Sequence, residues 1–172
     1  VVWKAILGGS DSLLNQLLGM FNVGPFNFLG DMKLSLYTLM AINIWKNVGY
    51  FMVIYMAALM DIPRSYYEAA KVDGANKLQQ FRSITLPLLK PTTIMVVFLG
   101  SIWSLQVFDL VYALTGGGPG MSTMTLVMYA YNLNFKNFNS GYAMAVANVL
   151  FLLIAIITII QKKFLKKDNS IY

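Results

Sequence analysis

The sequence predicts an all-α protein: a polytopic transmembrane helix bundle with a helix–turn–helix in one of its loops. Hydrophobic residues make up 58% of the 172 residues and charged residues only 12%, whereas a soluble domain has about 45–50% and about 25%. Three apolar segments are each long enough to cross a bilayer, and the basic residues are concentrated in alternate connections. These observations indicate that lipid, rather than one buried core, surrounds the helices.

The three predicted spans are residues 38–60, 92–114 and 142–161. About 20 helical residues, at about 1.5 Å each, cover a hydrocarbon core of about 30 Å. Buried helices of a large soluble protein are the alternative, but they would need much more polar sequence to cover them. We therefore expect residues 1–172 to form one transmembrane domain. Residues 1–7 read as the end of an earlier span, and no signal peptide is visible.

The charges in the loops predict the orientation of the spans. The chain has 13 Lys and Arg residues and a net charge of +6, and basic residues concentrate on the cytoplasmic side of membrane proteins. The loop 61–90 and the C-terminal tail carry most of them, so both are predicted to be cytoplasmic, and the loops 8–37 and 115–141 to lie outside. No single basic face is present for a phosphate backbone, so nucleic acid is not expected as a partner. The basic residues of the tail are Lys162, Lys163, Lys166 and Lys167.

The absence of Cys and His narrows the chemistry that the chain can perform. It removes thiol nucleophiles, His bases and zinc sites built on these residues. An intramembrane enzyme would need a converging nucleophile and base, or two carboxylates in the bilayer, and the predicted spans hold one carboxylate, that of Asp109. The sequence therefore predicts a chain that is not an enzyme and has no catalytic residue, cofactor or metal.

A short amphipathic helix is predicted in the loop 8–37. Residues 10–12 offer N-caps, and Gly24-Pro25 would end the helical stretch. Four leucines are predicted to share one face of this helix, which we expect to lie at the membrane surface. They are Leu13, Leu14, Leu17 and Leu18.

The loop 61–90 is predicted to form a helix–turn–helix under the membrane. A proline and a serine favour a helix start near residue 64, with Glu68 in the first turn, where the helix dipole favours a carboxylate. Gly74 permits the left-handed backbone that ends this helix, and a second helix is expected to stop before Pro87. Two amphipathic helices exceed what a short connection needs, so the loop is predicted to dock on a cytoplasmic partner.

This loop also resembles a known family motif. The triplet Glu-Ala-Ala is followed after three residues by a glycine, and after nine more by Ile-x-Leu-Pro, which resembles the EAA loop of bacterial ABC importer permeases. The residues that carry the match are Glu68, Ala69, Ala70, Gly74, Ile84, Leu86 and Pro87. The segment 108–119, FDLVYALTGGGP, resembles the carbohydrate-uptake subgroup, which is similar to the maltose-type and glycerol-phosphate-type inner-membrane subunits.

The resemblance implies partners and a location. In that family the loop forms a coupling helix that sits in a cleft of a nucleotide-binding subunit, with the Glu near a partner Arg; Glu68 would take this role, or it would merely cap its own helix. The implied partners are cytoplasmic ATP-binding subunits that hydrolyse ATP, a second homologous permease subunit, an extracytoplasmic solute-binding protein facing the loop 115–141, and the lipid bilayer. The implied location is the bacterial plasma (inner) membrane, multi-pass, with a cytoplasmic C-terminus.

Polar side chains inside the predicted spans are costly and mark candidate pathway residues. The candidates are Trp103, Gln106, Asp109, Asn43, Asn47 and Tyr50. The first three recur every three residues and are expected to share one helical face, where an aromatic ring beside hydrogen-bonding groups would suit a sugar. The last three form a second stripe at helical spacing. Hydrogen bonding between helices is the alternative for the amide side chains, and a wet outer interface is the alternative for Asp109.

The sequence as a whole predicts a permease subunit of an ATP-driven, binding-protein-dependent importer, for sugars or oligosaccharides. ATP-driven closure of the partner subunits would move the loop from Glu68 to Pro87, tilting the spans so that a cavity turns from outward-facing to inward-facing. The alternatives are a permease for a non-sugar solute, an ion-coupled carrier acting alone, and an intramembrane enzyme. A lone carrier would leave the loop 61–90 without a purpose.

Overall fold

The computed structural model describes residues 2–167, which are largely helical and contain no strand. The helices are α1 Val2–Leu7, α2 Leu13–Gly19, α3 Leu34–Met60, α4 Arg64–Val72, α5 Lys77–Gln80, α6 Leu86–Leu88, α7 Lys90–Leu105, α8 Asp109–Leu114, α9 Leu126–Tyr131 and α10 Ser140–Lys167. Two π-helical turns lie at Phe81–Thr85 and Asn132–Lys136. The all-α prediction is confirmed. Val1, the side chains of Lys166 and Lys167, and the predicted cytoplasmic C-terminus at 168–172 lie outside the described residues.

The predicted spans correspond to α3, to α7 followed by α8, and to α10. Two segments, Lys90–Leu114 and Ser140–Lys163, are long and apolar enough to cross a membrane, with mean hydropathies of 1.9 and 2.8. Only 11% and 6% of their most apolar stretches are buried within the chain, which is unlike the core helices of a soluble protein. Helix α3 has 27 residues, but Lys46 and two asparagines lower its hydropathy. Its role as a third span therefore stays a prediction.

Two expectations about helix ends are wrong. The second predicted span is not one helix, because it is interrupted at residues 106–108, between α7 and α8. The helical stretch that begins at Lys77 does not stop before Pro87, because that residue lies inside α6. Pro87 lies at the second position of α6, directly after the π-helical turn.

One compact unit comprises residues 2–44 and 102–160. Its core consists of buried apolar side chains from α1, the first part of α3, α8 and α9. They are Leu7, Leu39, Ile42, Val111, Leu114 and Met128. This cluster holds together helices that are far apart in the sequence.

The other compact unit comprises residues 45–101 together with the end of α10 from residue 161. The Tyr55 hydroxyl donates to Thr93 Oγ1 at 3.1 Å, joining α3 to α7. Gln161 Nε2 donates to Ser101 Oγ at 2.6 Å, joining α10 to the same helix. The whole of the loop 61–90 belongs to this unit.

Candidate coupling loop and solute pathway

The first helix of the loop, α4, runs from Arg64 to Val72, and Pro63 occupies its N-cap position with an extended backbone. No acidic residue lies in its first turn. Glu68 is the fifth residue of the helix, so the expectation that it lies in the first turn is wrong. The helix dipole favours a carboxylate in the first turn, so it explains a Glu at position 68 less well. Its side chain is exposed and therefore available to a partner.

The turn after α4 has the hydrogen bonds of a Schellman motif. The Gly74 N–H donates to the Lys71 carbonyl at 3.0 Å, and the Ala75 N–H donates to the Ala70 carbonyl at 2.9 Å. Gly74 has a φ of +79°, the left-handed conformation that such a helix end requires. A Cβ at this position would meet nothing within 4 Å. The glycine is therefore needed for its backbone conformation and not for space.

Helix α5 begins with a capping box that the sequence analysis missed. Asn76 Oδ1 accepts from the Gln79 N–H at 2.9 Å, and Gln79 Oε1 accepts from the Asn76 N–H at 2.8 Å. The signal was present, since a capping residue followed three positions later by Glu or Gln marks a helix start. Gln80, which is buried, adds a bond from its Nε2 to the Ala75 carbonyl at 3.0 Å. The turn is thus fixed from both of its sides.

A π-helical turn and one long-range hydrogen bond connect the loop to α7. The turn Phe81–Thr85 is closed by the Leu86 N–H, which donates to the Phe81 carbonyl. Thr85 Oγ1 lies 2.9 Å from the hydroxyl of Tyr67 on α4. Because α6 and α7 follow the π-helical turn directly in the chain, this hydrogen bond connects α4 to the start of α7. A displacement of α4 can be transmitted along this connection.

The loop presents apolar surface that no described residue covers. Tyr66 and Leu78 are 53% and 61% exposed, and Val72 is 88% exposed. Ala69 is also exposed and adds no bulk, whereas Ala70 is half-buried. Exposed aromatic and aliphatic side chains on a single loop are suited to a protein partner.

The predicted pathway residues of the second span lie on both sides of the break in that segment. Helix α7 ends at Leu105, where the Gln106 N–H is shared between two preceding carbonyls at 3.2 Å. The Val107 carbonyl lacks a helical partner and accepts from Thr125 Oγ1 at 2.9 Å. Because the helix is interrupted at residues 106–108, helical spacing no longer supports a shared face for Gln106 and Asp109, and their role in the pathway stays a prediction. Both side chains are exposed, and Trp103 is half-buried.

The other predicted stripe lies on the continuous helix α3. Asn43 and Asn47 are half-buried and four residues apart, so they share a face, and Tyr50, which is 51% exposed, extends it by one turn. The helical spacing that was predicted for these three residues is therefore present. Within the described part of the chain, no group of three acidic side chains comes together as a metal site would need.

An aromatic cluster beside the break escaped the sequence analysis. Phe108 stacks on Tyr112 at 5.3 Å between ring centroids and lies 5.1 Å from Tyr131, and Tyr131 lies 4.9 Å from Phe135. A hydrogen bond with Tyr112, together with desolvation, raises the pKa of Tyr131. The cluster borders an open pocket of about 350 Å³, which Asn134 also lines. These residues come from segments that are distant in sequence, so spacing alone gave no signal.

The glycine-rich segment after α8 is held by hydroxyl groups. Thr123, which is 1% exposed, lies with its Oγ1 2.7 Å from Thr115 Oγ1 and donates to the Gly118 carbonyl at 2.7 Å. Ser122 Oγ lies 2.9 Å from Ser35 Oγ, which ties the segment to the start of α3. These bonds hold the glycine-rich segment in a defined conformation.

A family model described as "binding-protein-dependent transport system inner membrane component" matches residues 6–168. The chain belongs to this family. The matched region includes every residue that the sequence predicted for the coupling loop and for the solute pathway. The resemblance to ABC importer permeases is therefore confirmed.

Curated members of the inner-membrane-component family align with most of the chain. The trehalose/maltose transport system permease protein MalF of Thermococcus litoralis is 36% identical over 162 residues, which cover 94% of this chain and 54% of that protein. The lactose transport system permease protein LacF of Rhizobium radiobacter is 36% identical over 165 residues, covering 94% and 55%. The osmoprotective compounds uptake permease protein GgtC of Synechocystis is 34% identical over 168 residues, covering 94% and 60%. The chain spans about half the length of the curated relatives it matches.

A solved structure has the same fold as this member of the family. The crystal structure of a bacterial ABC transporter that imports the acidic polysaccharide alginate gives a TM-score of 0.85 at 24% identity, covering 96% of this chain and 58% of that one. At this identity the likeness concerns the fold alone. It confirms the predicted transmembrane helix bundle.

Proposed function

We propose that the chain is a membrane-spanning permease subunit of an ATP-driven, binding-protein-dependent importer of sugars or oligosaccharides, in the bacterial plasma membrane. The observation that carries the proposal is the family match over residues 6–168. Sugar is the favoured class of solute because several of the relatives are named for sugar transport, among them those for trehalose/maltose and for lactose. The chain itself would hydrolyse no ATP.

The loop 61–90 would receive the mechanical work. Glu68 would bind a basic side chain in a cleft of a cytoplasmic ATP-binding subunit, and Ala69 and Ala70 would let the backbone approach closely. The Schellman turn at Gly74 and the capping box would keep the two helices at a fixed angle. A rigid connection is what such a role requires, since a flexible loop would dissipate the displacement of α4.

The path into the membrane would run through the second part of the loop. Ile84, Leu86 and Pro87 continue the helical stretch toward α7, and the hydrogen bond between Tyr67 and Thr85 braces this stretch against α4. Closure of two ATP-binding subunits would therefore tilt α7. Together with a second, homologous permease subunit, this motion would switch a central cavity from outward-facing to inward-facing.

Polar groups on the spans would line the solute pathway. Gln106 and Asp109 are exposed near the break in the second span, and Asn43, Asn47 and Tyr50 lie along α3. Polar side chains at membrane depth are tolerated where they face water or another polar group. Trp103 would offer an apolar ring to the CH face of a sugar. The solute would arrive from an extracytoplasmic binding protein that docks on the loop 115–141.

The test is transport by the full complex in proteoliposomes. Labelled maltose, trehalose, lactose and glycine betaine would each be offered with the binding protein and ATP inside the vesicles. ATP-dependent uptake of at least one sugar is expected, and the same complex with an inactive ATP-binding subunit is the matched control. A second candidate function is the uptake of osmoprotectants, for which one of the relatives above is named. Uptake of glycine betaine alone would favour this candidate and refute the sugar assignment. Sugar uptake that continues without ATP hydrolysis would refute the importer mechanism.

A further inference from the structure

Helix α2 exposes an apolar stripe that the proposed transport function does not use. Leu13, Leu17, Met20 and Phe21 are 55%, 56%, 78% and 79% exposed. Leu17, Met20 and Phe21 follow Leu13 by four, seven and eight residues. This spacing places all four on one side of α2 and of the turn that ends it. We call these four residues the α2 stripe.

The structure corrects the sequence-based description of this helix. Leu13, Leu14, Leu17 and Leu18 were expected on one face, but Leu14 and Leu18 are half-buried, and Leu14 packs against the core of its own unit. Helix α2 therefore has two apolar sides. One side holds it on the protein, and the other, the α2 stripe, is more than half exposed at each of its four residues.

The segment that carries the stripe contains no charge. Residues 12–30 include no Asp, Glu, Lys or Arg, although Asp11 and Asp31 stand at the two ends. Moving a charged side chain into the middle of a membrane costs about 2.5–3.5 kcal/mol for each residue. The segment can therefore move from water into lipid without the cost of burying a charge. A surface that docks on a protein usually has a polar rim, so the lack of charged residues favours lipid over a protein partner.

Part of the backbone of the segment is hydrogen-bonded within the segment. The N–H groups of residues 20–23 all donate to carbonyls of α2, at 3.0–3.3 Å. Asn15, which is 5% exposed, accepts from the Phe26 N–H at 2.9 Å and donates to the carbonyls of Phe26 and Gly9 at 2.7 and 2.9 Å. Unpaired backbone groups are what keeps irregular segments out of lipid, and the segment around the stripe has bonded most of its donors internally.

From the exposed stripe, the charge-free segment and the internal bonding, we infer that the α2 stripe inserts into the boundary between headgroups and acyl chains of the bilayer. The leaflet is the one that the loop charges predict to be the outer one. Insertion would fix the loop 8–37 at a set depth beside the start of α3. The inference depends on the chain being a membrane component and is independent of the solute that the complex transports.

Residues 1–172 contain no Cys, so each variant adds one labelling site to this part of the complex, and the complex with the parent chain, labelled in parallel, gives the background. Leu17→Cys and Phe21→Cys would each be labelled with bimane in the full complex in phosphatidylcholine and phosphatidylglycerol nanodiscs. Ser10→Cys, exposed beside a charged residue, is the matched control. We expect lipids with a nitroxide near the headgroup to quench the two stripe labels several-fold more strongly than the control label, and aqueous iodide to show the reverse order.

Two results would overturn the inference. Iodide quenching of the stripe labels as strong as that of the control would place the stripe in water. Protection of the stripe labels from both quenchers would mean that another protein subunit covers it. Met20→Cys gives a third label on the stripe, so that one poorly folded variant does not decide the outcome.

Discussion

Substitution of Gly74 tests whether the turn between α4 and α5 transmits work. Its φ of +79° costs a residue with a Cβ about 1–2 kcal/mol, and the open space around the position adds no steric penalty for a methyl group. Since 1.4 kcal/mol is about tenfold in an equilibrium, Gly74→Ala should lower the population of the native turn by about that factor. Gly74→Val should lower it further, because a β-branched residue tolerates this backbone least.

The assay is uptake per ATP hydrolysed, measured with the full complex in proteoliposomes. The expected order of this ratio is Gly, then Asn, then Ala, then Val at position 74, because Asn tolerates the left-handed conformation. Membrane insertion should stay intact in all four proteins. Gly49→Ala is the matched control: Gly49 lies in α3 with equally open space but a helical backbone, so the ratio should not change. Normal uptake by Gly74→Val would refute the coupling role of the turn.

Three further predictions concern side-chain hydrogen bonds. Tyr67→Phe and Thr85→Val each remove the 2.9 Å hydrogen bond between α4 and the π turn, which should cost about 1 kcal/mol of stability. Both variants should lower the uptake per ATP hydrolysed. In a double-mutant cycle, additive losses would show that the two groups act separately. Thr125→Val leaves the Val107 carbonyl unpaired and also removes the N-cap of α9, where Thr125 Oγ1 accepts from the Met128 N–H. The loss should be at least about 1–3 kcal/mol, seen as a lower melting temperature in detergent, whereas Thr125→Ser, which retains both bonds, should melt like the parent. Asn76→Ala removes the capping box and should cost about 0.5–2 kcal/mol of stability. Asn76→Asp should retain the parent's melting temperature. An unchanged melting temperature in the alanine variant would show that the cap is not needed.

Local signals in the sequence predicted the loop well. The left-handed glycine that ends α4 needs only its immediate neighbours, so Gly74 was placed correctly. Pro87 was expected to follow the end of the second helix, because a proline in a helix interior removes a backbone hydrogen bond; it lies instead within the helical stretch, directly after the π-helical turn. Glu68 was placed one turn too early because the start of α4 was judged from residue types alone.

Features that depend on distant parts of the chain could not be predicted. Residues 101–114 contain no proline or glycine, so nothing in that stretch marks the interruption after Gln106. The carbonyl left open there is bonded by Thr125, 18 residues further on, and the aromatic cluster beside it likewise joins separate segments. The same holds for helix α2. Periodicity predicts that the helix has an apolar face, but it does not predict which of the leucines pack against the core.

The bonds that shape the loop 61–90 have a consequence for how the chain is made. The longest of them in sequence, between Tyr67 and Thr85, spans 18 residues, and the turn and capping bonds span five or fewer. These bonds therefore connect residues of the loop with one another. All of their partners are present once residue 90 has left the ribosome, so that these contacts of the docking surface can be made while the spans that follow are still being inserted.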